Sequence, residues 1–306
     1  MEHRMGGRRE RLAAAVQLQV GTAIRSRVAG PDADARALRI WGAPGPRWFP
    51  ADDPVARVHA DASMFVGGIT ALLLQSLHPL AMAGVAGHSG YKSDPWGRVE
   101  RTSEYIAMTT FGPIPSAEEL IARIRGIHDR VRGKDYRGRP YRAGDPHLLR
   151  WVHLAETWAF LQTHTLYSAH PLSPGDADTY VDHTRRPSEM LGAADLPRTV
   201  GELSAALEGY RPELETSPDA VETARFLLRH PPLTGSARAG YGLLAAGAVA
   251  ALPPWAASML HLTTHPVPHH LQLLTGRMAT RIVAWGLESV RDDRLFNRSD
   301  DRPSSE

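Results

Sequence analysis

The chain has 306 residues, 42% hydrophobic and 22% charged, the composition of a globular protein long enough to bury a substantial core. It has no cysteine, which excludes disulfides, thiolate metal sites, iron–sulfur clusters and thiolate-ligated haem, so any metal must be held by nitrogen or oxygen. The net charge is +2, and the basic run Arg4, Arg8, Arg9 and Arg11 has no interleaved aromatic residues, which argues against a nucleic-acid partner.

Helical periodicity dominates the chain and strand-like alternation is nearly absent, so the expected class is all-α, as a single large helical domain. A helix over about Arg8–Val28 leads into the turn-rich Trp41–Pro54, with four prolines and two glycines in fourteen residues. Asp53-Pro54 reads as an N-cap followed by proline at the first helical position, opening a helix to about Ser76. Asp94-Pro95 repeats this chemistry for a helix through about Thr110. Phe111-Gly-Pro-Ile-Pro reads as a stop, with Ser116 and Glu119 as a capping box for the next helix. Lys134–Gly144 reads as a basic loop, Asp145-Pro146 starts a helix to about Tyr167, and Ser173-Pro174 starts another. Further helices are expected near Thr199–Tyr210, Asp219–Arg229, Arg238–Leu252 and His269–Ser289, before a charged, disordered tail from Asp292.

The N-terminus lacks a secretory pattern, and the expected location is the cytoplasm. Two apolar segments, Val66–Ala86 and Ala239–Leu262, are interrupted by His78-Pro79 and Pro253-Pro254, and read as buried helices rather than membrane spans. Peripheral membrane contact stays open.

One histidine stands out. Ile121, Ile124, His128 and Val131 fall at i, i+3, i+7 and i+10, which puts an imidazole where a core side chain should point. Buried without a partner it costs on the order of 1–3 kcal/mol, so it needs a hydrogen bond or a metal. Arg98 and Thr102, at i and i+4 with Arg101 beside them, could cradle a carboxylate; alternatively Arg98 pairs with a nearby acid and Thr102 bonds back to its own helix. His78, His88 and His153 are further candidate ligands, His153 together with Glu156 or Thr157, and the alternatives are a helix cap or backbone bond for His78 and His88 and a mixed polar face for His153. His269 and His270, in a proline-rich connection, are expected to be exposed.

Several signatures are missing. No glutamate has a histidine three residues later, as a helical di-iron site requires, and no zincin, nucleophile-elbow, P-loop or dinucleotide motif occurs. Haem is the metal cofactor that best fits what remains.

Five motifs occur in order: Ala71-Leu-Leu-Leu-Gln-Ser-Leu-His-Pro-Leu-Ala-Met-Ala-Gly-Val-Ala-Gly-His-Ser89, Asp94-Pro-x-Gly-Arg-x-x-Arg-Thr102, Ile127-His-x-x-Val-x-Gly133, Asp145-Pro-x-Leu-Leu-x-Trp-Val-His153, and Leu252-Pro-Pro-Trp255. Together they resemble the MpaB-type oxygenases, relatives of the latex-clearing rubber oxygenases, over about Asp53 to Pro254. The resemblance implies a globin-like helical core binding haem b, with His128 as axial ligand and Arg98 and Thr102 in the haem pocket. It also implies a haem-dependent oxygenase that uses dioxygen or peroxide on a small, apolar substrate; a non-catalytic haem or small-ligand carrier is the alternative. Two departures bear on this. Arg101 replaces a lysine that can take the distal iron position in the rubber oxygenases; being too basic to ligate iron, it is assigned a catalytic, orienting role. The glutamate base of those enzymes has no counterpart, because Ala71–Lys92 contains no acid. The expected organisation is a lead-in over residues 1–52, the haem-binding domain over 53–290 and the tail over 291–306.

Overall fold

The lead-in forms one long helix, α1 (Glu2–Ala29), a short α2 (Ala33–Ala37) and a π-helical turn at Leu38–Gly42. The computed structural model describes residues 2–88, 94–262 and 268–290. Beyond the turn, Arg47 donates to the carbonyls of Ile40, Trp41, Ala43 and Phe111, satisfying backbone acceptors in the irregular stretch.

Asp53 accepts the N–H of Val55 at 2.8 Å and starts α3 (Pro54–Ala60). The single helix expected from Pro54 to Ser76 is two. Asp61 accepts the N–H of Ser63 at 2.7 Å, a local turn that competes with the helix, and α4 (Met64–Gln75) leaves at 95°. After α5 (Pro79–His88), Asp94 caps α6 (Pro95–Phe111) through the N–H of Gly97, as anticipated. The capping box at Ser116 does not form. The next helix, α7 (Ile114–His128), starts three residues earlier, behind Pro113 instead of Ser116, and Ile114 donates its N–H to the Pro46 carbonyl at 2.8 Å. Nor is Lys134–Gly144 a plain loop. It lies largely within an antiparallel ribbon of β1 (Arg132–Lys134) and β2 (Pro140–Arg142), with Gly133 opposite Tyr141.

Asp145 caps α8 (Pro146–Tyr167) and Ser173 caps α9 (Pro174–His183), both as the sequence indicates. There follow α10 (Arg185–Leu191), α11 (Val200–Tyr210), a 3-10 turn at Arg211–Glu213, α12 (Pro218–Arg229), α13 (Gly235–Ala251), α14 (Pro254–Met259) and α15 (His269–Glu288). The short α10 and α14 were not expected from periodicity. The charged tail from Asp292 lies outside the described residues.

The fold is therefore all-α, a single helical domain carrying one small ribbon. Its main core joins α4 and α8: Leu73, Leu74, Leu77, Trp151 and Leu154 are fully buried, with Tyr180 and Leu203 from α9 and α11. The indole of Trp151 donates to the Gln75 carbonyl at 3.1 Å and fixes α8 to the end of α4. On the far side α13 packs on α4 and α15, and α1 lies along α15. The two apolar segments belong to this buried framework, and among the described residues no single helix is long and apolar enough to cross a membrane.

Candidate functional site

His128 is the last residue of α7. The helix stops because the chain turns: Arg130 bonds the Ile127 carbonyl, Val131 bonds that of His128, and Ala143 of the returning ribbon bonds the Val131 carbonyl at 2.9 Å. The apolar stripe divides at this point. Ile121 is buried and Ile124 packs against Met108, Ala117 and Leu120. Val131, past the helix end, joins Leu80, Ala83, Tyr141 and Leu148 between α5 and α8. The Nδ1 of His128 is buried and has no hydrogen-bond partner. Burial lowers its pKa, opposed by the charge of Asp129, so the neutral imidazole is favoured.

On α6, Thr102 is exposed and its hydroxyl donates to the Arg98 carbonyl at 3.0 Å, the bonding back to its own helix that spacing allowed. Arg98 is half-buried. Arg101 is exposed and pairs with the capping carboxylate of Asp94 at 3.3 Å. His88 is exposed at the end of α5, with its ring 6.3 Å from that of Tyr141. His153 is buried in α8, its Nδ1 2.9 Å from the Ser188 hydroxyl, and burial with the charges of Arg185 and Arg150 holds its pKa down to about 3. His269 and His270 are exposed, as expected.

Among the described residues, one group of three histidine or acidic side chains has ligand atoms mutually within 4.8 Å: His78, His147 and Glu213. Only His78 was singled out from the sequence. It precedes α5, accepts the Ala81 N–H at a long 3.5 Å and gives its carbonyl to Met82, so it acts as the helix cap. His147 follows the cap of α8, where only a helix start was legible. Glu213 ends the 3-10 turn 66 residues later, and no local spacing links the two.

A second polar cluster includes Glu156, a partner the sequence offers for His153, but its other members carry no sequence signal. His59 of α3 bonds Thr110 through Nδ1 at 2.7 Å and lies 3.3 Å from the Tyr180 hydroxyl. Burial pulls its pKa down to about 3. Nearby, burial pushes the Glu156 carboxyl up to about 7, and burial followed by the charge of Glu156 raises the phenols of Tyr105 and Tyr180. Glu156 lies three residues past His153, outside the acid-free segment Ala71–Lys92.

An open cavity of about 640 Å³ lies along α12, between Thr216 and His230, with Val221, Glu222 and Phe226 in its wall. None of its lining residues is among the ligands expected from the sequence.

No curated protein and no solved structure matches the chain. A family model described as the ER-bound oxygenase mpaB/B′/rubber oxygenase catalytic domain matches residues 56–285, from α3 to α15. On that match the chain belongs to the mpaB/rubber oxygenase catalytic-domain family, an oxygenase family.

Proposed function

We propose that this oxygenase-family chain is a haem b-dependent enzyme that uses dioxygen or peroxide on a small, apolar substrate. The observation that carries the reading is the buried, unpartnered Nδ1 of His128. An orphaned nitrogen costs on the order of 1–3 kcal/mol, and an iron ligand bond would remove that cost. The donor chemistry agrees: the chain has no thiolate, and burial favours the neutral imidazole that ligates metal.

Haem, when bound, supplies the one-electron and oxygen chemistry that side chains lack. In this reading His128 would hold the iron, and Arg98, a planar donor fork, would hold a propionate. Thr102 could join it only by leaving the Arg98 carbonyl, to which its hydroxyl now donates. Arg101, exposed and paired with Asp94, would orient the incoming substrate.

One observation favours a second reading, a haem or small-ligand carrier without catalysis: residues 71–92 hold no acid to serve as base. The absorption spectrum of the purified protein, oxidised and reduced, tests the first reading. A Soret band is expected in the parent, lost or shifted in His128→Ala. Protein that stays colourless after expression with ample haem overturns it. A stable oxy complex in the reduced protein, with no turnover of any offered substrate, selects the carrier.

A further inference from the structure

The cluster of His78, His147 and Glu213 takes no part in the proposed function, and its parts converge from three separate segments. The Nε2 of His147 is 2.8 and 3.0 Å from the two carboxylate oxygens of Glu213. The Nε2 of His78 is 3.7 Å from the same Glu213 Oε2, too far for a hydrogen bond. His78 is 2% exposed, and its Nε2 is buried with no hydrogen-bond partner. An ion pair of His147 with Glu213, both about half exposed, explains those two side chains but leaves the buried nitrogen of His78 unsatisfied.

We infer that His78, His147 and Glu213 form a binding site for a divalent transition-metal ion, of the zinc class. Two imidazoles and a carboxylate are the donor set of a three-ligand site that keeps a position open, and the exposed side of His147 and Glu213 gives that position to water. Ligand atoms around a tetrahedral zinc stand about 3.3 Å apart, so closing from the present spacing takes small side-chain movements. The surroundings hold the imidazoles in place. The Tyr210 ring stacks on His147 with centroids 4.6 Å apart, and its hydroxyl lies 3.2 Å from Nδ1 and donates to the His147 carbonyl at 2.9 Å. His78 rests against Trp151 and Tyr210. Coordination through Nε2 moves the proton of His78 to Nδ1, which gives up the 3.5 Å contact from the Ala81 N–H and sets that proton against a second donor, a cost the metal bond must exceed.

The test is calorimetric titration of zinc(II) into the full-length, haem-free, chelator-treated chain, with thermal unfolding followed in parallel. One ion per chain is expected, with a raised Tm. Each of Glu213→Gln and His147→Asn, confirmed as folded by circular dichroism, should bind at least tenfold more weakly. His128→Ala should bind zinc as the parent does, which separates this site from the haem reading. No binding by the parent, binding by both site variants as tight as the parent's, or a loss confined to His128→Ala overturns the assignment.

Discussion

Gly247 of α13 and Gly276 of α15 meet backbone to backbone: a Cβ on Gly247 would lie 2.6 Å from the Gly276 Cα. The Tyr167 hydroxyl closes the same corner by donating to the Gly247 carbonyl at 2.7 Å. Alanine at position 247 would gain up to about 1 kcal/mol in helix propensity. It would also force two helices apart, an overpacking cost of roughly 1–3 kcal/mol or more where backbone must move. The clash should win. Urea unfolding of Gly247→Ala is expected to show a net loss of about 1–2 kcal/mol; a variant as stable as the parent would mean the helices separate freely.

Glu156 should make the protein less stable as pH rises. Its carboxyl titrates near 7 in the fold against 4.5 as its ordinary value, so the folded state holds the proton more tightly. That contribution is complete below pH 4.5 and is lost as pH rises through 7. Glu156→Gln removes the charge and keeps the shape. The variant should match the parent at pH 4.5 and exceed it at pH 8 by up to roughly 3 kcal/mol. Equal stability of the two proteins at pH 8 would refute the burial argument.

His59 works in the opposite direction. Its folded pKa near 3 lies below the ordinary 6.5, so the unfolded chain takes up the proton first. Its contribution is present above pH 6.5 and is lost as pH falls towards 3. A His59→Gln variant should show a shallower fall of stability over that window, although it loses part of the bonding to Thr110 and Tyr180 at all pH values. Chemical unfolding at half-unit pH steps measures both effects. Parallel profiles for parent and variant would show that another group governs the acid limb.

What the sequence made legible was local. The caps at Asp53, Asp94, Asp145 and Ser173 were readable because each acts on an N–H two or three residues ahead. The break at Asp61–Ser63 was not, because a turn closed by one carboxylate leaves the flanking apolar pattern intact. The ribbon pairs three residues with three, too few to show alternation. At the site, His128 was visible because its helix face is otherwise aliphatic. His147 and Glu213 were not, since their contact depends on how α8 and the turn after α11 dock, which no spacing encodes.

The unpartnered nitrogen of His128 offers a test between a ligand-binding residue and a packing residue. A histidine kept for packing should be missed when it is removed, whereas one kept for a ligand burdens the empty protein. In the haem-free chain, His128→Leu replaces a buried, unbonded Nδ1 with an apolar side chain. Relief of the desolvation cost is on the order of 1 kcal/mol, so the Tm should be unchanged or a few degrees higher. Added haem should raise the Tm of the parent, because a ligand bound only by the folded state stabilises it, and should leave that of the variant unchanged. The two halves are read from four melting curves, parent and variant with and without haem. A haem-free variant several degrees less stable than the parent would make His128 a packing residue. Equal stabilisation of both proteins by haem would move the iron ligand to another side chain.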